Sequence, residues 1–257
     1  MNLSFTGKVA LITGATSGIG EATAQELAKQ NCNLMLTGRN EQKLTALQNH
    51  FSSTGINCTV LAGDIRDAKF RQQLIEETIN RLGRLDVLVN SAGIIEMGTI
   101  ETTSMDGYDR TMDVNLRSVF HLIQLALPHL EKTKGNIVNV SSVAGLRSFP
   151  GIVVYCISKA GLDQLTRCVA LEVAPKGIRV NAVNPGVVIT ALHTNSGMSK
   201  EQYQAFLERG KQSHPLGRVG KPEEVADLIV FLASDSAGWI TGGTYSIDGG
   251  RAQTCAR

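Results

Sequence analysis

Tyr155 and Lys159 stand four residues apart. On a helix that spacing puts a phenol and an ammonium on one face. Ser142 falls just after an apolar run at 135–140 that reads as a strand, so its hydroxyl belongs at a strand's carboxyl end. In an open α/β sheet that edge is where ligands sit. Two hydroxyl-bearing side chains and one cation can therefore converge on a bound molecule. Taken singly, Tyr155 reads as a half-buried core aromatic and Lys159 as a solvated helix residue. A second group, Thr13-Gly14-Ala15-Thr16-Ser17-Gly18-Ile19-Gly20, follows the first strand and opens the first helix. A dinucleotide pyrophosphate needs close backbone approach at a helix N-terminus, where free N–H groups and the dipole favour an anion. Side chains at Gly14, Gly18 or Gly20 would block that approach or the turn. The spacing is Gly-x-x-x-Gly-x-Gly, not the common Gly-x-Gly-x-x-Gly, so the place between strand and helix carries the reading.

These residues need a scaffold, and alternating short β-branched runs and amphipathic stretches supply it. Strands are predicted at 9–12, 33–37, 59–62, 86–90, 135–140, 178–183 and 244–247. Helices are predicted at 19–30, 41–51, 68–82, 108–130 with a break near Asn115, 154–174 ended by Pro175 and Gly177, and 223–233. The pattern implies an α/β fold: a single Rossmann-type, doubly wound parallel sheet of about seven strands with helices on both faces. The one long irregular stretch is 186–198. With a helix-like segment at 201–211 it is expected to form a substrate lid over about 186–214, overhanging the ligand edge. No linker or repeat divides the chain, and 1–257 reads as one dinucleotide-binding and catalytic domain.

Composition narrows the classes. At 257 residues and 42% hydrophobic, the chain suits one large α/β domain with a substantial core. With 25 basic and 23 acidic residues, it carries no electrostatic footprint for nucleic acid or an anionic membrane. Cys32, Cys58, Cys156, Cys168 and Cys255 are scattered and never form Cys-x-x-Cys, which suits a reducing compartment rather than a disulfide framework or zinc site. The five histidines show no metal-ligand spacing, so no metal is expected. The start lacks a signal-peptide pattern and no apolar run has bilayer length. A soluble, cytoplasmic protein is the expectation.

The order of motifs is more specific than any one of them. The Gly-rich turn, Asn90-Ser91-Ala92-Gly93, Asn115, Ser142, Tyr155-Cys156-Ile157-Ser158-Lys159, Asn184-Pro185-Gly186 and Ile247-Asp248-Gly249-Gly250 follow one another along the whole chain. This resembles the short-chain dehydrogenase/reductase family, with its Tyr-x-x-x-Lys motif, and within it the 3-oxoacyl-carrier-protein reductase-like group. The resemblance implies hydride transfer between a nicotinamide and a ketone or secondary alcohol. Tyr155 would be the general acid in reduction and the base in oxidation, its pKa of about 10 lowered by the Lys159 ammonium and by the positive charge of the oxidised nicotinamide. Lys159 would also hold the nicotinamide ribose. Ser142, rather than Ser141, would bind the substrate oxygen and stabilise its developing charge. Asn115 would hold a water linking Lys159 to solvent. Gly14, Thr16, Ser17, Gly18, Ile19 and Gly20 would carry the coenzyme phosphates. Asp64 would bond the adenine, with Ile65 beside it, and Asn90, Ala92 and Gly93 would line the ribose. Pro185, Gly186, Val188 and Thr190 would reach the nicotinamide. The family usually has a second Asn where Ser91 stands. A homotetramer is implied too, built through the long helices around Asn115 and Tyr155 and the last strand.

The residue after the second strand bears on the coenzyme. An acid there bonds the ribose and repels a 2′-phosphate. Here Gly38-Arg39-Asn40 follows Thr37, and Arg39 can bind the phosphate and stack on adenine. NADP(H) is therefore favoured over NAD(H), although the Gly-rich turn carries no basic residue. Met97, Leu146, Phe149, Leu192, Met198 and Phe206 are candidates for an apolar substrate pocket, or equally for core and lid packing. Arg147 is the one charged candidate near Ser142, and His193 lies in the expected lid. The leading reading is an NADPH-dependent reductase of apolar ketones: a 3-oxoacyl thioester, a ketosteroid or a small dicarbonyl. The competing readings are an NAD-dependent alcohol or hydroxysteroid dehydrogenase and a catalytically idle NADPH-binding sensor.

Overall fold

Seven short runs rich in Val, Ile and Leu pair in parallel in a computed structural model that describes residues 3–192 and 198–254. The strands are β1 (Val9–Thr13), β2 (Asn33–Gly38), β3 (Cys58–Ala62), β4 (Val87–Asn90), β5 (Asn136–Val140), β6 (Arg179–Pro185) and β7 (Thr244–Ile247). Their order in the sheet is β3-β2-β1-β4-β5-β6-β7. The strand period of two sends alternate residues to opposite faces. Ala10, Ile12, Leu34, Leu36, Val87 and Val89 pack on one side, and Leu11, Met35, Leu88, Ile137 and Val180 on the other. Both faces are buried, which is why the strands read as near-continuous apolar runs.

Helices cover both layers. α1 (Gly18–Lys29), α2 (Glu41–Ser53) and α9 (Pro222–Ala233) lie over the first face; α3 (Ala68–Leu82), α5 (Ser118–Thr133) and α7 (Val153–Val173) lie over the second. The stretch predicted as one helix over 108–130 is two, α4 (Met105–Met112) and α5, joined by a π-helical turn at Asp113–Arg117. Asn115 is the middle residue of that turn, at the predicted break. α6 (Val143–Leu146) is a single turn that sequence periodicity did not reveal, and α8 (Lys200–Ser213) occupies the helix-like segment. Ser199 starts α8 with a reciprocal cap to Gln202. Among the described residues no helix is long and apolar enough to cross a membrane.

Candidate active site

Strand order reverses between β1 and β4, and the loops leaving the strands part there into a cleft of about 1120 Å³. Gly14 sits at φ 66°, and a Cβ there would stand 2.9 Å from the backbone Cα and N of Ala92. Only glycine allows the two loops to meet this closely. The Thr13 hydroxyl holds the same junction, accepting bonds from the Ser91 and Ala92 N–H groups at 3.0 Å each. Thr16, Ser17, Gly18 and Ile19 line the cleft. Gly20 lies behind the wall, packed against the Gly14 carbonyl. Ser17 is the N-cap of α1 but makes no side-chain cap bond, so its hydroxyl leaves the first-turn N–H groups to other partners. A phosphate fits such a cradle.

The coenzyme's other expected contacts divide. Arg39 is exposed and lines the cleft after β2, while Thr16 packs across Gly38 and fills part of the space that glycine leaves. Asp64 and Ile65 line the wall after β3. The Asp64 carboxylate is already gripped by Arg66, through Nε at 2.9 Å and Nη2 at 2.6 Å, and that guanidinium holds its pKa below the usual carboxylate range. Ala92 and Gly93 line the cleft; Asn90 does not, because it is buried inside the sheet and donates to Asn139 Oδ1 at 2.8 Å. Pro185, Gly186, Val188 and Thr190 form the wall after β6, with Thr190 directly against Gly18.

α7 carries the reactive groups on its buried face. Lys159 Nζ donates to the Val140 carbonyl at 2.8 Å and lies 5.7 Å from the centre of the Tyr155 ring. Burial pushes the ammonium down to about 8, with Asp163 pulling the other way. Burial likewise pushes the Tyr155 phenol up to about 12, opposed by a hydrogen bond with Ser142. The sequence had suggested the reverse, a phenol lowered by Lys159 together with a bound oxidised nicotinamide. The ammonium is engaged with Val140, and desolvation of the phenolate outweighs its attraction. Ser142 caps α6, accepting from Ala144 N at 3.1 Å, whereas the Ser141 hydroxyl turns to the Lys159 carbonyl at 3.3 Å. Ser142 is thus the serine beside the phenol.

Two buried amides brace this group. Asn184 Nδ2 donates to the Ser142 carbonyl and to Asp163 Oδ2, both at 2.9 Å, tying β5 to α7. Asn115 is fully buried behind the cleft wall; it accepts from Ile94 N at 2.9 Å and donates to Ile94 O at 2.9 Å and Ser158 Oγ at 3.0 Å. Its side chain therefore clamps the β4 loop to α7. A Cβ on Gly93 would lie 3.5 Å from Asn115 Oδ1 and 3.6 Å from Lys159 Nζ, so all three meet at one point.

On the outer side, Met97, Phe149, Leu192, Met198 and Phe206 line the cleft, and Leu146 does not. Arg147 is turned away, its guanidinium held by the Ala252 carbonyl through Nε at 2.7 Å and through Nη2. Besides Arg39, the cleft arginines without an ion pair among the described residues are Arg209 and Arg251; sequence reasoning missed both, since Arg209 neighbours no motif and Arg251 follows Ile247-Asp248-Gly249-Gly250 far from Ser142 along the chain. The start of the loop after β6, at 187–190, is pinned to α8 and the residue after it: Tyr203 donates to Thr190 O at 3.0 Å, and buried His214 accepts from Val187 N at 3.1 Å while donating to Gly210 O at 2.6 Å. Burial lowers the His214 pKa, in keeping with a neutral ring. His193 and Cys255 lie outside the described residues.

A family model described as enoyl-(acyl carrier protein) reductase matches residues 14–252. The chain belongs to the short-chain dehydrogenase/reductase family. It is 38% identical to the 3-oxoacyl-[acyl-carrier-protein] reductase of Thermotoga maritima, over 95% of this chain and 97% of that one. A tropinone reductase homolog of Arabidopsis thaliana is 40% identical over 96% and 93%. A short-chain dehydrogenase/reductase of unknown function from Caenorhabditis elegans, solved with cofactor, superposes with a TM-score of 0.92 at 35% identity, covering 98% and 97%. The chain is thus an oxidoreductase of alcohols or carbonyls, in a family that uses NAD(P)(H).

Proposed function

We propose that this enzyme is an NADP(H)-dependent carbonyl reductase, in which Ser142, Tyr155 and Lys159 act on a ketone carried between the glycine turn and the walls after β5 and β6. The observation that carries this is the meeting of Ser142, Tyr155 and Lys159 in the same cleft as the uncapped α1 turn. Bound nicotinamide supplies the hydride. Ser142 donates to the carbonyl oxygen, and Tyr155 delivers a proton to that oxygen as charge develops on it. A phenol raised to about 12 stays protonated at neutral pH, the form a reduction needs. Lys159 orients the nicotinamide ribose and refills the phenol's proton.

Arg39 is our reason for naming NADP(H): its exposed guanidinium has room for a 2′-phosphate, and no acid stands at the end of β2. Gly14, Thr16, Ser17, Gly18 and Ile19 would hold the pyrophosphate, with Gly20 as packing beneath. Asp64, Ile65, Ala92 and Gly93 would flank the adenosine, and Pro185, Gly186, Val188 and Thr190 the nicotinamide. Asn90 and Asn115 would support these contacts from behind the wall. The segment 186–214 would act as the lid, and the whole chain as one catalytic domain. Exposed Phe120 on α5, and Ile157 and Leu171 on α7, support a homotetramer packed through those helices.

The test is loss of 340 nm absorbance with NADPH or NADH over a panel of 3-oxoacyl thioesters, ketosteroids and vicinal diketones. Faster turnover with NADPH supports the reading. Tight NADPH binding with no turnover of any ketone would overturn it in favour of an idle sensor.

A further inference from the structure

Outside the expected coenzyme walls, the cleft presents a positive charge that forms no ion pair among the described residues. Arg251 lines it half-buried, with its guanidinium 4.7 Å from the centre of the Phe149 ring. Phe149 packs against the cluster of Ile95, Ala144 and Tyr155, so the cation and Tyr155 border one apolar cluster. Among the described residues, no side-chain carboxylate pairs with it. Asp248 is the acid whose charge reaches it, but that carboxylate accepts from Gly250 N at 3.0 Å and Ala252 N at 2.6 Å, closing the turn that carries Arg251. Arg110, also on the cleft, is different: Glu96 neutralises it through contacts of 2.8 and 2.7 Å. Arg209, on α8, lines the cleft as well and has no ion-pair partner among the described residues.

A partly desolvated charge without a partner is costly unless something else supplies the counter-charge. A planar guanidinium fixed over a ring offers two parallel donors that match a carboxylate. From this, and resting on the carbonyl-reductase reading, we infer that the preferred substrates are ketones carrying a carboxylate, which Arg251 binds while Ser142 and Tyr155 hold the carbonyl. One fixed cation matches one negative charge, and Arg209 is exposed enough to be screened. The apolar wall of Phe149, Ile152 and Leu192 would take the methylenes between the two groups.

The experiment uses a series of methyl-keto acids from 3-oxobutanoate to 7-oxooctanoate, each beside its methyl ester. Turnover with NADPH is read as the acid-to-ester ratio of kcat/KM, which cancels any general loss of activity. In parallel, calorimetry measures binding of the same acids to the enzyme saturated with NADP+. The inference expects a ratio of about tenfold or more at one or two chain lengths. In Arg251→Met that ratio should collapse towards one, and Arg251→Lys should restore part of it. Equal rates for acid and ester in the unaltered enzyme, or a ratio unchanged by Arg251→Met, would overturn the inference while leaving the reductase reading intact. If no ketone turns over yet acids bind in an Arg251-dependent manner, the carboxylate site stands and the reductase reading fails.

Discussion

Replacing Arg39 by aspartate should reverse the coenzyme preference. Arg39 is exposed on the cleft rim, so its bonds to a 2′-phosphate fall at the low end of charge-assisted values, about 1.5 kcal/mol. An aspartate adds repulsion. At about 5 Å in water-like dielectric each pair of unit charges costs about 0.8 kcal/mol, and a phosphate near two charges costs about 1.5. Binding of NADPH should weaken by about 3 kcal/mol, or roughly 150-fold. The new carboxylate can accept from the ribose hydroxyls of NADH, worth about 1 kcal/mol, or roughly fivefold. The swing is then about a thousandfold in the NADPH-to-NADH ratio of kcat/KM. Asp64 should not blunt it, because Arg66 already answers that carboxylate. The swing should also shrink as salt is added, since the rim is open to ions. An Arg39→Asp enzyme whose ratio stays within a factor of about two would remove Arg39 from coenzyme selection and leave the NADP(H) assignment without its support.

Three further outcomes are expected. Gly14→Ala places a Cβ 2.9 Å from the Ala92 backbone in a left-handed conformation that itself costs about 1–2 kcal/mol, so Tm should fall by at least several degrees and NADPH binding should be lost. Gly217→Ala, at φ 70° with nothing within 4 Å, should show only the smaller conformational loss, and equal effects at both sites would refute the contact. The kcat/KM for ketone reduction should fall as pH rises through about 8, where Lys159 loses its proton; Asp163→Asn should move that limb to lower pH, because the Asp163 charge raises the lysine, and a limb that stays in place would contradict this coupling. His214 is buried with a lowered pKa, so the stability it contributes is complete above the ordinary value of 6.5 and is lost as pH falls below it. A melting series from pH 8 to pH 5 should accordingly be steeper for the native enzyme than for His214→Gln, and parallel slopes would argue against this role.

The sheet was legible because strands buried on both faces leave continuous apolar runs, and the place of the glycines between the first strand and helix marked a turn on the cleft. Tyr155 and Lys159 were legible because helical spacing is local. Even the break at Asn115 was visible, although its form, a π turn between α4 and α5, was not. What stayed hidden depends on contacts between distant segments. The upward shift of the phenol was not legible, because nothing local says that the ring is buried and that Lys159 turns to Val140. Arg147 looked like the substrate cation from its nearness to Ser142, but a carbonyl near the end of the chain captures it. Arg251 takes that position only because the Asp248 turn folds back beside Phe149. α6 is a single turn, too short for any periodicity. The Asp163–Asn184–Ser142 brace joins two strands and a helix that no spacing rule connects.

On the proposed mechanism the Tyr155 phenol delivers the proton, while coenzyme affinity does not depend on its hydroxyl. The most direct measurement is single-turnover oxidation of bound NADPH at 340 nm in Tyr155→Phe beside the unaltered enzyme, with NADPH affinity measured in both. The rate in Tyr155→Phe should fall by about 10²–10⁴ with coenzyme affinity retained. Turnover at the unaltered rate in Tyr155→Phe would contradict it.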